Sequence, residues 1–156
     1  MRKAMLLFAI LGLAGSLWAG DLQVGTWKLN LAQSKVPPSY RAPRKATFVF
    51  RTAGDQIEWV LTATDASGSP VTSKGAYPRE GGVVKWSVAP AHLGDTTIIS
   101  TVVSPYESYQ TFLRDGKQER LDHVVVSNDG ATTRETIKGM GPQGRPFKVL
   151  LVFDKQ

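Results

Sequence analysis

The two histidines, His92 and His123, are the side chains best suited to chemistry at neutral pH. Imidazole titrates in that range and serves as a general acid or base. His123 follows Asp122 in the stretch "RLDHVVVS", but neighbours on a strand point to opposite faces, so Asp122 is poorly placed to orient it. We predict no catalytic residue. His123 is interpreted as a polar group that faces a ligand, or as a structural residue at a strand edge.

Metal and cofactor chemistry find little support in the sequence. The chain contains no cysteine, so disulfides and thiolate ligands are excluded. A metal site needs several histidines, cysteines or carboxylates at paired spacing, and the sequence lacks that spacing. A haem in an apolar pocket would have to use His123 as its ligand. We predict no metal site and no cofactor.

Residues 1–20 have the order of a secretory signal peptide: a basic start, an apolar run and a region of small residues. The apolar run is shorter than the roughly 20 residues that a membrane span needs, which argues against the alternative of a membrane anchor. We predict export to the periplasm or the medium, with no stable membrane span after cleavage. The candidate cleavage positions follow Ser16, Ala19 and Gly20.

Residues 21–156 then make one domain of ordinary size, held together by its hydrophobic core. The sequence has 19 Lys and Arg against 13 Asp and Glu, and the densest basic group lies in the proline-rich stretch "KVPPSYRAPRK". Scattered charges of this kind are typical of a solvated surface. Because no nucleic-acid-binding motif accompanies them, we predict no nucleic-acid partner. We also predict a monomer.

Turn signals divide residues 21–156 into short segments with strand periodicity. Asp-Gly pairs such as Asp115-Gly116 are strong hairpin signals, because tight primed turns need positive φ. In "TWKLNL" the apolar side chains alternate with polar ones, and other segments repeat this period of two. We predict an all-β fold, a single antiparallel up-and-down barrel of about eight to ten strands. A β-sandwich is the structural alternative.

The segment Gly25-Thr26-Trp27, on the first strand of this meander, resembles the opening of the calycins, the superfamily of lipocalins and fatty-acid-binding proteins. The run "GTWKLNLAQSK" and the closing "FDKQ" also resemble a group of small exported bacterial proteins described as lipocalin-like. The resemblance implies that Trp27 plugs one end of a barrel and that Gly25 lets the backbone pass close by. It also implies that the barrel carries a small ligand.

Two features depart from the fatty-acid-binding proteins. Those proteins insert two helices after the first strand, and this chain has three prolines there, so we predict an extended crossing segment. They also tend to end in an Arg-X-Tyr pair that grips a carboxylate, where this chain has Leu151 and Phe153. We therefore expect no strong preference for fatty acids over neutral alcohols.

Aromatic residues in the strands are candidates for the wall of a ligand cavity. The residues assigned to this wall are Trp59, Trp86, Tyr109, Phe112 and His123. Core packing is the alternative for the aromatic residues, because a barrel of this size is either filled or holds one small ligand. Three strand arginines lie near turns or among polar neighbours and are expected to face water: Arg114, Arg120 and Arg134.

The sequence thus predicts an exported, non-catalytic binding protein for a small apolar molecule. The first alternative is a structural or interaction module of the cell envelope with a filled barrel and no ligand. The second, less favoured, is a barrel isomerase or cyclase that uses His123. A void of roughly a few hundred Å³ would favour binding over a filled barrel. Convergent titratable groups inside the barrel would favour catalysis over binding.

Overall fold

The computed structural model describes residues 21–90, 93, 95–141 and 144–156. The predicted signal peptide, His92 and two residues of the loop "MGPQGRP" lie outside the described residues. Across the described part, a short 3-10 turn at Asp21–Gln23 precedes eleven strands. The strands are β1 (Gly25–Leu29), β2 (Lys45–Ala53), β3 (Gln56–Thr64), β4 (Pro70–Pro78), β5 (Gly81–Val83), β6 (Lys85–Val88), β7 (Thr97–Ser104), β8 (Glu107–Arg114), β9 (Lys117–Val126), β10 (Thr132–Met140) and β11 (Pro146–Lys155).

All eleven strands belong to one antiparallel sheet that curls into a nearly closed barrel. β1 pairs with both β2 and β11, so the first strand joins the last. β5 and β6 together occupy one strand position in the barrel, since β5 pairs with β7 and β6 pairs with β4. Val84 between them donates its amide to the Ile98 carbonyl. The predicted all-β up-and-down barrel is confirmed. The number of strands reaches eleven because the strand position shared by β5 and β6 is divided at Val84.

The apolar run of β11 is explained by its position between two partners. Strands β1 and β10 flank it on either side, and Val149, Val152 and Phe153 are buried. The chain after β1 continues along β11, because the Ser34 hydroxyl accepts a hydrogen bond from the Val152 amide at 2.9 Å. The last strand therefore has no open edge along this stretch.

Residues 30–44, all of which the structure describes, form a segment without a helix that crosses the barrel end, and we call it the crossing segment. Lys35 exchanges two backbone hydrogen bonds with Leu150, at 2.7 and 3.0 Å. The segment then turns across the barrel end, and the Tyr40 ring packs on Phe147 with 5.4 Å between centroids. The segment also contains turns at residues 31–33 and 38–39, and the fixed φ of its prolines is compatible with a path that holds no helix.

The opposite end of the barrel is closed by Trp27 and the 3-10 turn. The Trp27 side chain is 3% exposed, and its indole N–H donates to the Gln23 carbonyl at 2.7 Å. Lys155 covers the ring, with Nζ 5.1 Å from its centroid. Gly25 has φ +132°, and a Cβ there would lie 2.8 Å from Lys155 Cε. Glycine is therefore suited to this position by its backbone conformation as well as by space.

Apolar packing forms two clusters inside the barrel. One surrounds Trp27 and Val149, and the other surrounds Ile57 and Tyr77. Phe50 packs against both clusters but is only partly buried. Side chains in the middle of the barrel keep accessible surface because they border an internal cavity.

Candidate functional site

A cavity of about 390 Å³ lies inside the barrel. It reaches from Trp27 at the closed end to Tyr40, Pro43 and Leu93 in the loops of the other end. This volume falls within the range of roughly 300–1,000 Å³ that is usual for small-molecule pockets. It also far exceeds the roughly 10–15 Å³ that a single water molecule needs. The barrel is therefore hollow.

One wall of the cavity is aromatic and comes from β2, β3 and β6. Strand alternation brings Phe48, Trp59 and Trp86 onto the inner face. The Trp59 ring stands edge to face with Trp86 and with Phe48, at centroid distances of 5.2 and 6.2 Å. Tilted pairs of this kind are a favoured geometry for aromatic rings. Gly75 leaves room for the wall, since a Cβ there would lie 2.8 Å from Trp59 Cζ2. These contacts fix the aromatic surface before any ligand arrives.

The opposite wall carries charge. β9 lies on the opposite side of the barrel from β3, with four strand positions between them in either direction when β5 and β6 are taken as one. Arg120 and Asp122 are two residues apart on β9, so both point inward. They form a bidentate ion pair in which Arg120 Nε lies 2.6 Å from Asp122 Oδ1 and Nη2 contacts Oδ2. The Asp122 side chain is only 2% exposed, and full pairing is what makes such burial of a charge tolerable.

Glu135, on the neighbouring strand β10, adds a second carboxyl to this wall. Burial, followed by the nearby charge of Asp122, raises the pKa of Glu135 to about 8, while Arg120 acts in the opposite direction. Burial also raises the pKa of Asp122, against the lowering effects of Arg120 and of the hydrogen bond from Glu135. Both shifts favour a state in which the pair of carboxyls holds a proton, and Glu135 donates it in a hydrogen bond to Asp122.

Tyr40 brings a hydroxyl from the crossing segment to the same wall. Burial raises the pKa of the Tyr40 phenol, and the charges of Arg120, Glu135 and Asp122 also act on it. The phenol is therefore neutral at physiological pH and can both donate and accept a hydrogen bond. We call Arg120, Asp122, Glu135 and Tyr40 together the polar cluster.

A separate set of hydrogen bonds lies at the closed end. Gln23 Nε2 donates to Ser108 Oγ at 3.0 Å, and the Tyr77 hydroxyl donates to Gln23 Oε1 at 2.8 Å. Burial raises the pKa of Tyr77, so its hydroxyl stays a donor. Because these groups satisfy one another, they fasten the 3-10 turn to the barrel.

The structure brings three of the five residues assigned to the cavity wall into contact with the cavity: Trp59, Trp86 and Phe112. Tyr109 and His123 lie instead on the outer face of the barrel. Their rings stack with 4.5 Å between centroids, and His123 Nε2 lies 2.8 Å from Glu107 Oε1. Their face was misjudged because apolar residues flank His123 on its own side of β9, whereas the inner side of β9 carries the ion pair.

Arg120 also differs from expectation, since it faces the cavity and not water. Its guanidinium carbon lies 4.5 Å from the centroid of the Phe112 ring. Arg114, by contrast, pairs with Glu119 at the surface, and Arg134 is exposed. The spacing of two between Arg120 and Asp122 puts their opposite charges on one face of β9, but it does not tell which face points inward.

The described residues contain no group of three or more histidines, cysteines or carboxylates that could hold a metal ion. In the same part of the chain, no helix is long and apolar enough to cross a membrane. The polar cluster brings a guanidinium, two carboxyls and a phenol together at one wall of the cavity, and Arg41 and Asp65 add a further charged pair of residues to the lining.

Comparisons with known proteins add little to this geometry. No protein-family model matches the chain, and no curated protein matches its sequence. Among solved structures, the chain is similar to one described as "Structure of EF1p2_mFAP2b bound to DFHBI". That similarity covers 90% of this chain and 98% of that chain, with 10% sequence identity and a TM-score of 0.49. So distant a likeness supports no functional conclusion.

Proposed function

We propose that this protein is an exported, lipocalin-like binding protein that holds one small, largely apolar molecule inside its barrel without transforming it. The observation that carries the proposal is the cavity of about 390 Å³ with its preformed aromatic wall. Burial of apolar ligand surface contributes about 25 cal/mol per Å². Contact with Phe48, Trp59 and Trp86 is therefore the main source of affinity.

The cavity also bears on the alternative of a filled structural barrel. A core that serves only stability is packed to the density of an organic crystal and has few voids larger than a water molecule. Here the middle of the barrel is open, and Phe48 and Trp59 are only partly buried. This observation supports a binding role over a filled envelope module.

Ligand entry is proposed at the end that carries the crossing segment. The cavity lining there comes from loops, including Tyr40, Pro43 and Pro90. Trp27 and Gln23 obstruct the other end, where they are held by hydrogen bonds. Loops separate more easily than paired strands, so the crossing segment is the natural gate.

Export belongs to this proposal through the signal-peptide order of residues 1–20. A ligand enclosed by the barrel would be shielded from water, which suits the carriage of an apolar molecule through an aqueous compartment. We place the mature protein in the periplasm or the medium, as a monomer.

Acid–base catalysis is the second candidate function, because titratable groups converge inside the cavity. Glu135, with its pKa raised to about 8, is suited to exchange a proton near neutral pH. His123 has no part in this candidate, since it lies on the outer face. Chemical change of a bound molecule over time, followed by mass spectrometry and lost in Glu135→Gln, would favour catalysis over binding.

The binding proposal is tested by titration of the mature protein with 1-decanol, a neutral apolar probe. Trp27, Trp59 and Trp86 all line the cavity, so tryptophan emission reports its occupancy. The variant Ala63→Phe fills the cavity from a small residue in its lining. Thr62→Phe is the matched control, because it adds the same side chain one residue away on the exposed outer face of β3.

We expect saturable binding by the wild type and by Thr62→Phe. Ala63→Phe should bind at least tenfold more weakly, a difference of about 1.4 kcal/mol. Equal titrations for the two phenylalanine variants would place the probe outside the barrel. The absence of saturable binding in all three proteins would overturn the proposal in favour of a barrel without a small ligand.

A further inference from the structure

We propose that the polar cluster selects a ligand with a basic nitrogen, so that the cavity takes an apolar amine in preference to a carboxylic acid. This inference rests on the proposed binding function and adds the chemical class of the ligand. The aromatic wall would hold the apolar body of the amine, and the carboxyl of Glu135 would meet its ammonium group.

The polar cluster is poorly prepared for an anion. Arg120 is the cation of the cluster, and both oxygens of Asp122 already occupy it through two charge-assisted contacts. Phe112 covers one face of its guanidinium plane. Because Asp122 already neutralises the charge of Arg120, an incoming carboxylate would find no net positive charge in the cluster to offset its own desolvation. The second carboxyl, Glu135, would add repulsion.

A cation meets the opposite situation. The charges of Arg120 and Asp122 cancel, so the charge of the cluster depends on Glu135. When ionised, Glu135 supplies the counter-charge that an ammonium group requires in a buried site. The Tyr40 hydroxyl, which faces the same groups, can accept a further ammonium hydrogen bond.

The proton balance of this binding step gives it a pH dependence. Glu135 binds a proton up to a pKa of about 8, so an ammonium ligand releases one proton from Glu135 as the ion pair forms. The groups that face Glu135 are Asp122 and Arg120 from β9 and Tyr40 from the crossing segment. β11, on its other side, contributes the apolar Leu151. Amine affinity should therefore rise with pH, by up to about tenfold per unit, until pH is about 8.

The test compares decylamine, 1-decanol and decanoic acid by isothermal titration calorimetry in buffers of different ionisation enthalpy. These probes share one chain and differ in the head group, so their ratio isolates the polar cluster. We expect decylamine to bind at least tenfold more tightly than 1-decanol near pH 7, with release of up to one proton. Decanoic acid should bind no more tightly than the alcohol.

Glu135→Gln supplies the decisive variant, because it keeps the shape and the donor while removing the ionisable carboxyl. The ratio of amine to alcohol affinity should fall to near one in this variant. Glu58→Gln, at an exposed position of β3, is the matched control and should keep the wild-type ratio. Binding of the alcohol without a preference for the amine, or a tenfold preference for the acid, would overturn this inference and leave the binding function standing. If none of the three probes binds, the binding function itself fails.

Discussion

Replacement of Glu135 by glutamine should change how the stability of the barrel depends on pH. The pKa of Glu135 is about 8 in the folded protein, against 4.5 for a solvated glutamate. The folded state therefore holds this proton more tightly than the unfolded state. Its contribution to stability is complete below about pH 4.5, falls as pH rises, and is lost once pH passes about 8.

The size of the effect is given by proton linkage. Each pH unit in that window lowers the free energy of unfolding by about 1.4 kcal/mol, because the folded state binds one more proton than the unfolded state. Between about pH 5 and pH 7.5 the wild type should lose about 3 kcal/mol from Glu135 alone. Glu135→Gln should lack this decline, because an amide cannot titrate and can still donate a hydrogen bond to Asp122.

Urea titrations at a series of pH values measure the free energy of unfolding directly. Titrating groups outside the polar cluster contribute similarly to both proteins, so the difference between wild type and variant reports the coupled pair of Glu135 and Asp122. Glu58→Gln, which removes an exposed carboxyl, should follow the wild-type curve. Parallel curves for wild type and Glu135→Gln would refute the reasoning, since they would mean that Glu135 titrates as it does in water.

The remaining predictions concern the barrel end, the ion pair and the N-terminus. Trp27→Ala should cost about 3–5 kcal/mol in urea unfolding, as for other large buried aromatic residues, and a loss below about 1 kcal/mol would mean that Trp27 does not plug the barrel. Asp122→Ala should lower the free energy of unfolding by about 3 kcal/mol, because it leaves the charge of Arg120 inside the barrel without its partner. The double variant Arg120→Met with Asp122→Leu should lower the free energy of unfolding by less. A larger loss for the double variant would contradict this account. The intact mass of the secreted protein should correspond to a chain that begins between residues 17 and 21, and a secreted chain that still carries residues 1–20 would exclude cleavage.

The architecture could be predicted from local sequence patterns. Period-two alternation and Asp-Gly turns specify strands and hairpins, and the apolar run of β11 indicates a strand with partners on both sides. Closure through β1 and β11 is then expected, because it removes the two longest open edges. The division into β5 and β6 at Val84 depends on the strand with which each of them pairs. No local sequence pattern indicates that pairing.

The polar wall of the cavity could not be predicted in the same way. Alternation on β9 gives two faces, one with Arg120 and Asp122 and the other with Leu121 and His123. The usual preference for apolar residues inside a barrel selects the second face. In the structure the first face points inward, where the ion pair lies next to Glu135 of the neighbouring strand β10. A pairing between strands decided the orientation, and the sequence of one strand does not contain it.

The central claim, that the hollow barrel carries a small molecule, is tested most directly by native mass spectrometry of protein purified from its own cells. Wild-type protein should carry additional mass that is lost on denaturation and is recovered as a small organic molecule. Ala63→Phe, which fills the cavity, should appear at the mass of the bare chain, while Thr62→Phe should keep the additional mass. Wild-type protein at the mass of the bare chain, or an adduct that persists in Ala63→Phe, would contradict the account.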